Sequence, residues 1–134
     1  NRPLAHDTRL TGATLRSELE RLLEHHGDIP VELDWKAGVE VPESLEPLAQ
    51  AVVGEALQNA RKHARPSRVE IKIDSRGGAF VLEVANDGVG GRRRQAGMGL
   101  RLAALEALQS GGVVEFGERE PGTWQVRLVV PDEL

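Results

Sequence analysis

One predicted helix carries three polar side chains whose spacing places them together. In the stretch GEALQNARKHA, residues 54–64, Glu55, Asn59 and Lys62 are separated by four and then three positions. Because a helix turns by about 100° per residue, these three side chains fall on one side of it. A carboxylate, an amide and an ammonium group could serve as a general base, a ligand for a hard metal ion and a partner for an anion. The alternative is an ordinary amphipathic helix whose polar side faces water.

Two glycine clusters follow this helix. NDGVGG, residues 86–91, ends a strand-like pattern, and GMG, residues 97–99, opens a helical one. Unpaired N–H groups at a glycine-opened helix start form an anion site, so a phosphate could lie at residues 97–100. Glycines also simply form turns. The third glycine of a dinucleotide-binding fingerprint is replaced by Arg93 and Leu102, and no Gly-Lys-Ser/Thr exists in the chain, which excludes a P-loop.

The composition limits the class of protein. The chain has 134 residues, 40% of them hydrophobic, which fits one domain with its own core. A net charge of -4 argues against a nucleic-acid or anionic-membrane surface, and the lack of cysteine excludes disulfides and thiolate metal sites. No apolar run approaches the roughly 20 residues that span a bilayer. We therefore expect a cytoplasmic domain that binds no nucleic acid; membrane attachment of a longer protein is left open.

The elements that must position these residues follow from hydrophobic periodicity. It predicts helices over residues 11–26, over residues 44–63 with Ser44 as N-cap and Pro47 in the first turn, and over Leu100 to Gln109. It predicts strands at residues 31–35, 113–117 and 123–130, and a hairpin in which RVEIKID and AFVLEVA are joined by SRGG. The last helix is expected to bury a stripe of Leu100, Ala104, Ala107 and Leu108. This order predicts an α+β fold, a two-layer α/β sandwich with a mixed, mostly antiparallel sheet and helices on one face.

The order of the parts resembles the GHKL ATPase superfamily, the Bergerat fold shared by sensor histidine kinases, gyrase-type ATPases and related chaperones. EALQNARKHA is similar to its N box, DGVG to its G1 box, GMGL to its G2 box, and PGTWQVRL to its late Gly-Thr segment. The resemblance covers residues 15–131. The spelling of the N box, the short lid GRRRQA at residues 91–96 and the segment GLRLAALEALQSGGVVEF resemble sensor kinases that signal to NarL-type response regulators.

The resemblance implies ATP and Mg²⁺ as ligands. Asn59 would bind the metal, Glu55 would orient a water molecule or act as a general base, and Asp87 would accept a hydrogen bond from the amine of adenine. The three arginines of the lid would neutralise phosphates, dock the phosphoacceptor helix or simply remain solvated. The further positions that the resemblance assigns to the nucleotide are Lys62, His63, Gly88, Gly90, Gly97, Gly99, Leu100 and Thr123.

The resemblance also implies partners and boundaries. Residues 1–10 would link to a missing dimerisation and phosphoacceptor domain, and residues 11–134 would form the catalytic ATP-binding domain. This domain would transfer the γ-phosphate of ATP to a histidine of the missing domain, with a response regulator downstream. The fragment itself is expected to be a monomer. Two alternatives remain: an anti-sigma-factor-type serine kinase, and a non-catalytic module of the same fold that serves protein interactions.

Overall fold

The computed structural model describes residues 14–24, 29–63, 67–88 and 98–131. The predicted linker, residues 1–10, and the lid, residues 91–96, lie outside these ranges. A short 3-10 helix (Glu43–Leu45) precedes α2. The helices and strands, in chain order, are α1 (Leu15–Glu24), β1 (Val31–Trp35), α2 (Glu46–His63), β2 (Val69–Arg76), β3 (Ala79–Asn86), α3 (Met98–Gln109), β4 (Val113–Glu120) and β5 (Thr123–Pro131).

The start of α2 differs from the sequence prediction at one residue. Ser44 lies inside the 3-10 helix and is not the N-cap of α2, so that prediction is wrong. The N–H of Leu45 instead donates to the carbonyl of Pro42 at 2.8 Å, and Pro42 has the φ of -56° that its ring enforces. The turn at Pro42 therefore leads the chain into the helix. Pro47 lies in the first turn, as predicted, where a missing N–H costs no intrahelical bond.

Five strands form one sheet in the order β1-β2-β3-β5-β4. β1 pairs with β2 in parallel and every other pair is antiparallel, which confirms the mixed, mostly antiparallel sheet. The β2–β3 hairpin turns at Gly77 and Gly78, whose φ angles are 57° and 79°. A two-residue turn that matches the twist of a hairpin needs positive φ at both positions, which glycine adopts without strain.

The core lies between the sheet and the helices. Side chains of β2, β3 and β5 alternate, and one row of each strand faces the helices. The opposite face of the sheet carries an ion pair: Arg127 donates to Glu83 at 2.8 Å across the β3–β5 pair. The largest fully buried side chains, which hold the two layers together, are Leu15, Leu19, Val52, Val69, Ile71, Ile73, Leu82, Leu100, Val126 and Leu128.

The buried face of α3 differs from the predicted stripe. Leu100 and Ala107 are buried as expected, but Leu108 is 61% exposed and Ala103 takes its place in the core. Leu108 follows Ala107 by one residue, hence by about 100° around the helix, so it cannot share that face. Ala103 and Ala107, four residues apart, lie with Leu100 on the packed face, and the other leucines of α3 are exposed. Within the described ranges, no helix combines the length and the apolar character needed to cross a bilayer.

Candidate functional site

The polar side of α2 does not simply face water. Asn59 is only 7% exposed, and its Nδ2 has no hydrogen-bond partner among the residues that the structure describes. Lys62, one turn later, is exposed, as the amphipathic alternative expects. His63 ends the helix, but its side chain lies outside the described residues. The amphipathic alternative therefore fails at the amide that the spacing had marked as a candidate ligand.

A buried amide with an unused donor fits a ligand that is rich in oxygen. Leaving such a group unsatisfied costs about 1–3 kcal/mol of free energy. A phosphate oxygen that accepts from Nδ2 of Asn59 would offset this cost. The amide oxygen is a hard ligand of the kind that Mg²⁺ binds. The described part of the chain contains no group of three or more acidic or histidine side chains that could hold a metal ion. A magnesium ion would therefore share Asn59 with oxygen atoms of the bound ligand and water.

The side chain of Glu55 on α2 lies against Gly99 at the start of α3. A Cβ atom added to Gly99 would overlap the carboxylate of Glu55, so the glutamate occupies the space that any larger residue would need. Gly99 is the second residue of α3, where the helix dipole favours a negative charge. Leu100 follows and is buried in the core. The spacing of the sequence places Glu55 beside Asn59, but nothing in it predicts the contact with Gly99.

A second cluster forms where β2 begins and β3 ends. Asp87 follows β3, and its Oδ1 accepts from the backbone N–H of Ser67 at 2.7 Å and from that of Arg68 at 3.3 Å. Its Oδ2 accepts from the hydroxyl of Ser67. This hydroxyl bond, followed by the backbone bonds, holds the pKa of the Asp87 carboxyl below its usual value, against the opposing effect of partial burial. Asp87 is therefore a fixed anion at neutral pH.

The remaining predicted positions divide between described and undescribed residues. Gly88 has a φ of 79°, which glycine adopts readily, so the chain turns directly after Asp87. Thr123 begins β5 and lines, together with Asp87, a cavity of about 160 Å³. Gly90 and Gly97 lie outside the described residues. The structure thus brings Asp87 and Thr123 together at one end of the sheet, and Glu55 and Gly99 together between α2 and α3, with Asn59 one turn further along α2.

Ser67 is the residue of this region that the sequence prediction missed. A single serine between Pro66 and Arg68 has no periodic or motif signal. Its only hint is its position just before a strand that pairs with the one ending at Asp87, and this pairing is itself a prediction. Its contact with Asp87 spans 20 residues of sequence and appears only when the hairpin forms.

Comparison with known proteins agrees with this arrangement. Residues 44–134 match the family described as histidine kinase-, DNA gyrase B-, and HSP90-like ATPase. The match covers well over half of the chain and includes both clusters described above. The chain belongs to this family, whose members are ATPases.

Two curated relatives are sensor kinases. The sensor histidine kinase LnrJ of Bacillus subtilis (strain 168) is 29% identical over 129 residues, which cover 87% of this chain and 32% of LnrJ. The signal transduction histidine-protein kinase/phosphatase DegS of Brevibacillus brevis is 35% identical over 80 residues, which cover 58% of this chain and 20% of DegS. The chain therefore spans between a fifth and a third of the length of these relatives.

Solved structures share the fold. The histidine kinase AdeS of Acinetobacter baumannii superimposes with a TM-score of 0.70 at 13% identity, over 90% of this chain and 66% of that one. The histidine kinase domain of the blue-light activated histidine kinase EL346 of Erythrobacter litoralis gives a TM-score of 0.65 at 19% identity, over 96% of this chain and 76% of that one. The two-layer sandwich predicted from the sequence is thus the Bergerat architecture.

Proposed function

We propose that this chain is the ATP-binding catalytic domain of a two-component sensor histidine kinase. It would hold ATP with Mg²⁺ and present the γ-phosphate to a histidine on a separate dimerisation domain. The bond between the γ-phosphorus and the bridging oxygen would break, a bond from phosphorus to a ring nitrogen would form, and ADP would leave. Positioning and charge neutralisation carry such transfers, so this chain needs little covalent chemistry of its own.

The observation that carries the proposal is the buried amide of Asn59. A polar side chain that is 7% exposed, with no acceptor for its Nδ2 in the described part of the chain, is costly in a protein without a ligand. A phosphate oxygen of the nucleotide would accept from Nδ2, while the amide oxygen of Asn59 would hold the magnesium ion, which would neutralise phosphate charge. Glu55, one turn earlier on the same helix, would orient a water molecule or accept a proton.

The other residues would bind and orient the nucleotide. Asp87 is an anion with no bonded cation among the described residues, so it offers acceptors to the amine of adenine. Guanine presents a carbonyl at that position and would be repelled. Gly88 and Gly90 would let the backbone approach the base, and Thr123 would contribute nearby. Lys62, His63, Gly97 and Gly99 would lie at the phosphates, with Leu100 securing the start of α3.

The proposal is tested by calorimetric titration with a non-hydrolysable ATP analogue, with and without Mg²⁺, and with the matching GTP analogue. We expect magnesium-dependent binding of the adenine nucleotide that is lost in Asn59→Ala and in Asp87→Ala. Gln58→Ala is the matched control, because it removes an exposed amide from the neighbouring position of α2. The control should bind as the unchanged chain does.

Absence of binding by the folded, unchanged chain would contradict the proposal. The non-catalytic interaction module would then be the better description. Binding without transfer to histidine, but with phosphorylation of serine in a partner protein, would favour the anti-sigma-factor-type kinase.

The outer face of α3 supports the proposed partner. Its outward residues Met98, Leu102, Leu105 and Leu108 are apolar and at least 58% exposed. An exposed apolar face of this kind usually marks a contact surface. α3 starts beside Glu55, so a domain that covers this face would lie next to the phosphate end of the proposed site. We propose that the dimerisation domain docks here, and that the isolated fragment is a monomer.

We further propose a NarL-type response regulator as the downstream partner and a cytoplasmic location for this domain. The support is the spelling of the N box and the six-residue lid between the two glycine clusters. Transfer from the phosphorylated kinase to purified regulators of different types would test it. Faster transfer to a regulator of another type would contradict the proposed partner.

A further inference from the structure

Asp87 is held by neutral donors only. Three hydrogen bonds reach its carboxylate, two from backbone N–H groups and one from the hydroxyl of Ser67. The cations nearby are engaged elsewhere: the guanidinium of Arg68 pairs with Glu70 at 2.7 Å and Glu32 at 3.4 Å, and that of Arg119 donates to Gln125 at 2.6 Å. Within the described residues, Asp87 therefore keeps its charge without an ion pair.

The three hydrogen bonds divide unequally between the two carboxylate oxygens. Oδ1 accepts both backbone N–H groups, of Ser67 and Arg68, and Oδ2 accepts only the hydroxyl of Ser67. A carboxylate oxygen has about two acceptor positions, so Oδ1 is filled and Oδ2 keeps one position for a further donor. A ligand that donates to Asp87 must consequently approach the oxygen that Ser67 already holds.

The hydroxyl of Ser67 has a single proton, and Asp87 receives it. What remains on this hydroxyl oxygen is acceptor capacity. Two acceptors, Oδ2 of Asp87 and Oγ of Ser67, therefore lie next to each other at a site where Ser67 is exposed and Asp87 is partly exposed. An amino group, with two N–H donors, can serve both. A carbonyl oxygen at the same place would meet two acceptors and no donor.

We propose that Ser67 is a positioning residue for base recognition, which fixes the carboxylate of Asp87 and leaves the pair as acceptors only, so that the site selects adenine, whose amino group lies where guanine carries a carbonyl. This inference rests on the proposed function, in which Asp87 meets the base of the nucleotide. Without the hydroxyl, Oδ2 would lose the donor that orients it, and the carboxylate could rotate about its last bond. This loss of orientation would lower the selectivity for adenine over guanine.

The test is titration of the full chain with non-hydrolysable analogues of ATP and GTP in the presence of Mg²⁺. Ser67→Ala is expected to lower the affinity for the adenine nucleotide about tenfold and the affinity for the guanine nucleotide much less. The reason is that the lost hydrogen bond orients a charged acceptor. Ser67→Thr keeps the hydroxyl and should restore affinity to within about threefold. Ser75→Ala is the matched control, because it removes an exposed hydroxyl from the other end of β2 and should change neither value.

A second measurement separates positioning from a purely structural role. The pH at which binding of the ATP analogue is lost on acidification should move upward in Ser67→Ala, because the hydroxyl no longer lowers the pKa of Asp87. Charged groups that line the same cavity, Arg68, Glu70, Arg119 and Glu120, are unchanged in this variant. Should Ser67→Ala unfold more easily, Ser67→Cys has nearly the same shape with a weak donor and should change both readouts in the same direction.

Two outcomes overturn the inference in distinguishable ways. If the unchanged chain selects the ATP analogue and Ser67→Ala keeps both the preference and the pH midpoint, Ser67 has no positioning role although the proposed function stands. If the unchanged, folded chain binds neither analogue, the proposed function fails and the inference fails with it.

Discussion

The polar groups of the two clusters differ in whether the protein supplies their hydrogen-bond partners. At the end of the sheet, Asp87 receives three hydrogen bonds from the protein itself. On α2, the buried amide of Asn59 has no partner for its Nδ2 among the described residues. The first cluster is held by the protein's own donors, whereas the second lacks an acceptor. On the proposed function, the fold would fix the group that meets the base and would leave the phosphate end to be completed by nucleotide and metal.

The largest expected effect is the loss of nucleotide binding in Asn59→Leu. The change removes the amide and fills the space with apolar atoms, so affinity for the magnesium complex of an ATP analogue should fall about a hundredfold. The free energy of unfolding should stay unchanged or rise by about 1 kcal/mol, because an unsatisfied buried donor disappears. Calorimetric titration and urea denaturation measure the two quantities. A large loss of stability would mean that the amide is satisfied in the folded protein and that the two clusters do not differ.

Asp87→Asn should change the free energy of unfolding in the opposite direction to Asn59→Leu. The change replaces a carboxylate that accepts three hydrogen bonds with a neutral amide. It should lower the free energy of unfolding at neutral pH by about 2 kcal/mol. The folded pKa of Asp87 lies below the ordinary value, so its contribution is present above that value and is lost as the pH falls through the folded pKa. The difference between the two proteins should thus be constant from pH 7 to about 5, shrink below about 4 and vanish in stronger acid. Urea denaturation across this range measures it, and a difference that grows on acidification would contradict the assignment.

Gly99→Ala should affect function more than stability. The new Cβ overlaps the Glu55 carboxylate, the flexible end of a side chain, which can move aside. Alanine also favours a helix over glycine by about 1 kcal/mol, so the net change in unfolding free energy should stay within about 1 kcal/mol. Phosphoryl transfer should fall about as far as in Glu55→Ala, and the double variant should be no worse than either single one. Additive losses would show that Gly99 acts independently of Glu55.

The smallest effect on stability is expected on the outer face of α3. Leu102 and Leu105 are each 58% exposed, so Leu102→Gln combined with Leu105→Gln should change the free energy of unfolding by less than about 1 kcal/mol. Nucleotide affinity should also be unchanged, because these side chains lie outside both clusters. Transfer to the proposed dimerisation domain should fall about tenfold if two apolar contacts are lost. Phosphoryl transfer at the unchanged rate would show that the dimerisation domain does not dock on this face.

Much of the fold follows from local signals. The alternation of β2 and β3 and the two glycines between them predict the hairpin, and residues 31–35 are a strand with the predicted bounds. The predictions fail where a single residue was weighed without its neighbours. Ser44 is a good N-cap by type, but the turn at Pro42 precedes it, and Leu108 is apolar but lies off the packed face of α3.

The sequence by itself determined the period of each element, the position of its turns and the order of the candidate boxes, because these depend on residues close together in the chain. Only the tertiary structure decided that Nδ2 of Asn59 is buried without a partner among the described residues, that Gly99 makes room for Glu55 and that Ser67 holds Asp87. Glu55 and Gly99 belong to different helices, and Ser67 and Asp87 flank the open end of a hairpin. The first contact depends on how α2 and α3 pack, which is a long-range property that no local pattern encodes. The second joins residues 20 positions apart and needs the hairpin to pair along its whole length.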